Sequence, residues 1–177
     1  MSLLNIKIGK GAPEIVNAII EVPKDSQNKY EIDKETGAIA LDRVLYSPLH
    51  YPLDYGFIPE TLCDDGDALD VMIIGSDPVP VGCVVRARVI GMMDMIDGGE
   101  QDNKLLAVQE DNPRFKTIND LDDIEKFMPH LLKEIKHFME VYKELQNKKV
   151  EVGGWHNKAK ALEEVIKSQK MYQDTRK

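Results

Sequence analysis

Seven residues, Asp64-Asp65-Gly66-Asp67-Ala68-Leu69-Asp70, hold four carboxylates, and the apolar run Val71-Met72-Ile73-Ile74 follows directly. In an extended chain Asp65 and Asp67 share one face while Asp70 takes the other. The three converge only if the chain turns between them, and Gly66 is free to make that turn. Converging carboxylates repel one another unless cations lie between them. Hard oxygen donors in this number suit Mg²⁺ or Mn²⁺ better than zinc. Taken alone, such a cluster also reads as an exposed acidic loop. A calcium-binding EF-hand loop fits poorly, because its twelfth position needs Glu and here falls on Ser76 or Pro78.

A second acidic stretch, Asp94, Asp97, Glu100 and Asp102, leads to Lys104. Two acidic loops flanking strands would gather carboxylates at one end of a β structure, and cations held there need an anion to act on. Groups suited to phosphate stand at strand positions. Lys29 and Glu31 alternate about Tyr30, and Arg43 follows Asp42 on what reads as the partner strand. Singly, each of these cations reads as an ordinary surface side chain. In company with two acidic loops they read as a site.

Short strands broken by turns must position these groups. Candidates are Glu14–Val22, Tyr30–Asp33, Ala38–Val44, Val71–Gly75, Cys83–Met93 and Lys104–Gln109, and Asp33-Lys34-Glu35-Thr36-Gly37 reads as a hairpin connection. From Pro129 the period changes: Leu131, Ile135, Phe138, Tyr142 and Leu145 step by helical intervals along one face. A second helix is expected from Asn157 to Met171, with Leu162, Val165, Ile166 and Gln169 on its stripe. Lys149–Val152 reads as one more strand, and Lys167–Lys177 as a solvated, partly frayed end. No linker or repeat interrupts the chain, so the expectation is one α+β domain over residues 1–177, mainly β, with a small barrel and two helices outside it.

Composition narrows the function. The chain has 177 residues, 42% of them hydrophobic, which is enough for a core without disulfides. A net charge of −8 opposes a nucleic-acid or anionic-membrane binder, since both need a basic surface. No apolar run approaches the length of a membrane span, and Met1 to Lys10 lacks the pattern of a secretion signal. Two cysteines, Cys63 and Cys83, suit a reducing compartment, so a cytoplasmic location is expected.

In order along the chain, several segments resemble the soluble family I inorganic pyrophosphatases, particularly their short bacterial form. They are Lys29-Tyr30-Glu31-Ile32-Asp33, Asp42-Arg43, Tyr51-Pro52-Leu53-Asp54-Tyr55-Gly56 and Asp65-Gly66-Asp67-Ala68-Leu69-Asp70-Val71. Asp97, Asp102-Asn103-Lys104 and His137-Phe138-Met139-Glu140-Val141-Tyr142-Lys143 continue the likeness. Ser2-Leu3-Leu4-Asn5 and Gly154-Trp155 are similar as well. Two positions depart from the family pattern: Ala68 stands where proline is usual, and Gly98 where an acidic residue is often found.

The resemblance implies a closed five-stranded, OB-like β-barrel with two flanking α-helices, and Mg²⁺-dependent hydrolysis of inorganic diphosphate to two phosphates, with Mn²⁺ as a substitute. By position, Asp65, Asp70 and Asp102 would hold the two ions that share the attacking water, whose pKa such bridging lowers. Asp97 with Asp102 would hold a further ion and Glu31 another, with Glu21 acting indirectly. Asp67 matches the general base. Lys29, Arg43, Lys104 and Lys143 would neutralise the diphosphate oxygens, and Tyr55 and Tyr142 would donate hydrogen bonds. Tyr51, before Pro52, reads either as packing or as a group supporting the site from behind. A homo-oligomer, a homohexamer, is expected, with no nucleic-acid or membrane partner.

Two other functions remain at this point. A hydrolase of another phosphoanhydride would want an apolar pocket for a base, and none is evident near the acidic loops. An acidic OB-like binding module without catalysis would want a basic, aromatic face. Among the remaining residues, His50, His130, His137 and His156 show no metal-ligand spacing, though His137 could serve an oligomer contact. Cys63 lacks a basic neighbour to activate it, and Trp155 reads as core. Tyr142 falls on the apolar stripe of its helix, so a buried ring with its hydroxyl reaching the site combines both readings.

Overall fold

A computed structural model describes residues 3–33 and 35–176. Ser2 of the opening segment, Lys34 of the expected hairpin and Lys177 at the end of the tail lie outside the described residues. The strands are β1 (Ile15–Val22), β2 (Asn28–Ile32), β3 (Ile39–Val44), β4 (Asp54–Phe57), β5 (Asp70–Ile74), β6 (Val84–Asp97), β7 (Glu100–Gln101), β8 (Lys104–Gln109) and β9 (Val150–Asn157). The helices are α1 (Leu121–Phe127), α2 (Leu131–Val141) and α3 (Lys158–Asp174).

Five strands pair into a ring: β1 with β4, β4 with β5, β5 with β8, β8 with β6, and β6 back to β1. Only the β5–β8 pairing is parallel. Side-chain alternation accounts for the apolar runs, because both faces of these strands are buried. On β5, Val71 and Ile73 join a cluster with Ala161 and Val165 of α3. Met72 and Ile74 join the opposite cluster, with Ile124 of α1 and Ile135 and Phe138 of α2. The long strand β6 serves β1, β8 and β9 by bending at irregularities between Val89 and Gly91 and between Met93 and Met95. Strands β2 and β3 form a separate two-stranded ribbon.

The fold is thus α+β and mainly β, with three helices among the described residues rather than two. Helix α1 was not expected. Its start is fixed by a capping box in which Asp120 and Asp123 satisfy each other's exposed amides. Strand β4 was missed too, since four residues with one glycine give no readable alternation. Gly56 there is required by contact, because a Cβ at that point would lie 2.0 Å from the Ile19 carbonyl oxygen of the paired strand.

Several expected boundaries shift: β6 runs on to Asp97 past the expected Met93, and β9 to Asn157 past the expected Val152. Helix α2 ends at Val141, so Tyr142 is its C-cap, and Leu145 stands 59% exposed on the following 3-10 turn, Glu144–Gln146, rather than on the helix stripe. The buried stripe of α3 is Ala161, Val165 and Ser168, leaving Ile166 54% exposed. The tail stays helical to Asp174 rather than fraying from Lys167, although its last residues, Gln173 to Arg176, are solvent-exposed as expected.

Candidate active site

One cavity of about 420 Å³ gathers every residue to which the sequence assigned a role. Glu21, Glu31, Asp65, Asp67, Asp70, Asp97 and Asp102 supply carboxylates, and Lys29, Arg43, Lys104 and Lys143 supply cations. Tyr51, Tyr55 and Tyr142 complete the set, and Gln146 and Lys148, which the sequence reading did not single out, also line the wall.

Each side chain is aimed by a local device. On the ribbon, Lys29 faces Arg43 as its register partner, which puts both cations on one side. The parallel β5–β8 register sets Asp70 opposite Lys104. The acidic loop between Ile58 and Asp70 is closed by Thr61, whose buried hydroxyl donates to the Ile58 carbonyl at 2.5 Å and accepts from the Leu69 amide at 2.9 Å. Within it, Gly66 adopts φ +86°, and the Asp67 amide donates to the Asp65 carboxylate at 3.0 Å. That turn lets Asp65, Asp67 and Asp70 reach the same cavity.

A run of rings carries the tyrosines. Tyr55 meets Tyr51 at 5.5 Å between centroids, Tyr51 meets Phe138 at 4.9 Å, and Phe138 meets Tyr142 at 5.2 Å. The chain of contacts ties β4 to the end of α2. Tyr142 is therefore both core and cavity wall, 7% exposed.

The charges are interleaved. Lys104, 2% exposed, donates to Asp70 at 2.5 Å and also to Asp102. Tyr55 donates to the same Asp70 oxygen. Lys143 pairs with Asp97, Lys29 with Glu31 at 2.8 Å, and Arg43 with Asp42. Burial works against the Lys104 ammonium, but the fields of Asp70 and Asp102 outweigh it and raise its pKa. Lys29 is likewise raised: burial opposes its charge, and Glu31, Asp70 and Glu21 more than compensate. Burial lowers Lys143 despite Asp97.

Burial also lifts Asp102 above the usual carboxylate range, with Asp70 adding to it and Lys104 opposing. Glu21 is pushed up to about 8 by burial, with Lys29 opposing, so it is largely protonated at neutral pH. The Tyr51 hydroxyl is pushed up to about 12 and those of Tyr55 and Tyr142 well above their ordinary value, all chiefly by burial. They remain hydrogen-bond donors at any working pH.

Not every acidic residue of the second stretch comes here. Asp94 turns to His156, at 2.5 Å, and Glu100 stands exposed in the β6–β7 hairpin that also carries Gly98. Cys63 beside the acidic loop is pushed up to about 12 by burial and by Asp65 and Asp70, which leaves it a poor nucleophile.

Among the described residues no three His, Cys, Asp or Glu side chains close around a single point. Lys104 stands between Asp70 and Asp102 instead, while Lys29 and Lys143 each pair with one carboxylate, Glu31 and Asp97. With Glu21 largely protonated, the other six carboxylates still outnumber the five cations, and an anion with several charges would not enter without added positive charge. The available ligands are all oxygens, the donor set of Mg²⁺ and Mn²⁺. The residues fit a divalent metal.

The comparisons with known proteins agree with one another. The family model described as inorganic pyrophosphatase matches residues 18–173. An inorganic pyrophosphatase of Halalkalibacterium halodurans is 53% identical over 145 residues, 82% of this chain and 87% of that protein. Soluble inorganic pyrophosphatase 1 of Arabidopsis thaliana is 46% identical over 168 residues, 95% of this chain and 78% of that protein. The crystal structure of the inorganic pyrophosphatase from Thermus thermophilus superposes with a TM-score of 0.92 at 42% identity, covering 98% of this chain and 99% of that one.

Proposed function

The chain belongs to the inorganic pyrophosphatase family; its reaction is the hydrolysis of inorganic diphosphate to two phosphates, and we propose that the acidic cavity is where this occurs. The observation that carries the proposal is the interleaving of carboxylates and phosphate-type cations in one cavity, with the Lys104 ammonium between Asp70 and Asp102.

Asp65, Asp70 and Asp102 are the ligands we assign to two Mg²⁺ ions, with Asp97 and Glu31 serving further ions; Mn²⁺ is an acceptable substitute. When bound, these ions would neutralise the substrate and lower the pKa of the attacking water. Lys29, Arg43, Lys104 and Lys143 grip the diphosphate oxygens, Arg43 being the group able to do so with two parallel bonds. Tyr55 and Tyr142 hold their hydroxyls toward the same oxygens, braced by Tyr51. Asp67 takes the proton of the water as its oxygen attacks one phosphorus. The bridging P–O bond then breaks, and the second phosphate leaves with its charge balanced by lysine. Little covalent chemistry is asked of the protein, so positioning and charge stabilisation carry the rate. Glu21, raised to about 8 by burial and so largely protonated, lines the cavity and acts on the ions indirectly, through its charge state.

Further parts of this reading follow the family. The five-stranded ring and its helices form a closed OB-like barrel in a single domain over residues 1–177. The protein works in the cytoplasm as a homo-oligomer, a homohexamer, and binds neither nucleic acid nor membrane. Among the described residues no helix is long and apolar enough to cross a membrane.

The test is phosphate release from diphosphate with Mg²⁺, with EDTA, and with ATP as competing substrate. Fast Mg²⁺-dependent release from diphosphate and little from ATP is expected. Equal release from ATP would favour a general phosphoanhydride hydrolase, and no release with any divalent metal would leave a binding module.

A further inference from the structure

We propose that Gln146 is a substrate-binding residue, donating from its side-chain amide to a phosphate oxygen of diphosphate, or of product phosphate, beside Lys143. The inference rests on the diphosphatase reading of the cavity and extends it to a residue that no charge pattern marks.

Gln146 lines the cavity, and its amide nitrogen is closed off from solvent with no hydrogen-bond partner among the described residues. A buried donor without an acceptor is costly, and native structures keep one mainly where a ligand or water completes it. The backbone accounts for where the side chain points. Lys143 caps the 3-10 turn Glu144–Gln146, and the Gln146 amide nitrogen of the main chain donates to the Lys143 carbonyl at 2.9 Å. Residues three apart eclipse in such a turn. Gln146 therefore stands over Lys143, whose ammonium is in the cavity on Asp97. Asn147, at φ +55°, closes the turn through its amide to the Glu144 carbonyl and fixes this stacking.

Chemistry favours an anion as the missing acceptor. Two carboxylates of the cavity already have cationic partners: Asp97 holds Lys143, and Asp102 holds Lys104. An incoming phosphate brings new acceptor oxygens to the same place. Lys143 attracts it at long range, and the neutral amide adds a directional bond that fixes one phosphate oxygen beside that charge. Lys148, on the same rim, adds charge but no fixed geometry.

The experiment compares Gln146→Glu, which keeps the shape and replaces the donor by a repelling carboxylate, with Gln146→Met, which keeps the shape and removes the donor. Both are assayed on diphosphate with Mg²⁺, and inorganic phosphate binding to the Mg²⁺-loaded proteins is measured by calorimetry. A rise in KM of about tenfold with kcat changed less than about twofold is expected, with phosphate affinity weakened in proportion and Gln146→Glu the more affected. KM and phosphate affinity within about twofold of wild type in both variants, or a fall in kcat alone, would overturn the proposal. Wild-type turnover separates the two ideas. Its absence would sink the diphosphatase reading itself, whereas turnover with unmoved KM and phosphate affinity would sink Gln146 alone.

Discussion

The ammonium of Lys104 lies 2.5 Å from a carboxylate oxygen of Asp70, on a side chain only 2% exposed. The same ammonium bonds Asp102, so one lysine holds two carboxylates together across the parallel β5–β8 register. Without it, Asp70 and Asp102 would face each other as like charges in a partly dry site. Lys104 thus occupies the space between carboxylates that a divalent cation would also neutralise.

Replacing Lys104 by Met keeps most of the volume and removes the charge. Breaking a buried pair in this way costs about 3 kcal/mol, because the remaining carboxylates lose their partner. Urea unfolding in EDTA should show that loss in Lys104→Met, and the loss should shrink as Mg²⁺ is added. Equal stability of variant and wild type in EDTA would mean that the ammonium is not what holds the pair.

Glu21 gives a pH dependence of definite sign. Its folded pKa is raised from 4.5 to about 8 by burial, so the folded state keeps a proton that the unfolded chain releases. The stability this contributes is fully present below about pH 4.5 and is lost as pH rises toward about 8. Glu21→Gln mimics the protonated form at every pH. In metal-free buffer, the stability of wild type relative to Glu21→Gln should fall between pH 5 and 8 by up to about 1.4 kcal/mol per unit. A difference that stays flat across that window would mean that Glu21 is ionised in the fold.

How far the sequence led can be judged from particular residues. Charged positions were legible because carboxylates at Asp65, Asp67 and Asp70 around a glycine repel one another unless a cation gathers them, and alternation at Lys29 and Glu31 survives folding. The ring strands were legible where burial on both faces demanded unbroken apolar runs, as in Val71 to Ile74. Strand β4 was not, because Asp54, Tyr55 and Gly56 are chosen by contacts: Asp54 accepts the amides of Lys24 and Val79, and Gly56 lies against the Ile19 carbonyl. Helix α1 was hidden by its length, seven residues being too short for a periodic stripe. Gln146 carried no signal in type or spacing; only its depth and its missing partner mark it.

The role assigned to Asp67 is tested by Asp67→Asn. Removing a general base typically lowers turnover by about 10² to 10⁴. The variant should lose kcat on that scale while keeping its melting temperature, and the acid-side limb of its pH–rate profile should change. Unchanged turnover and an unchanged profile would remove Asp67 from the role.

Thr61 tests whether the acidic loop must be held shut. Its hydroxyl is a single staple, donating to the Ile58 carbonyl and accepting from the Leu69 amide across the neck of the loop. Thr61→Val keeps the branched shape in a site 3% exposed and removes both bonds. The Leu69 amide is then left buried without that acceptor, which costs about 1–3 kcal/mol. The Ile58 amide still bonds the Leu69 carbonyl at 2.9 Å, so the loop should loosen rather than open. Asp65, Asp67 and Asp70 lie on or just past that loop, and their mutual placement would spread. The expected result is a fall in melting temperature together with a several-fold higher Mg²⁺ concentration for half-maximal activity. A stability loss with the Mg²⁺ requirement unmoved would show that the ligands are positioned by β5 and Gly66 without help from the staple.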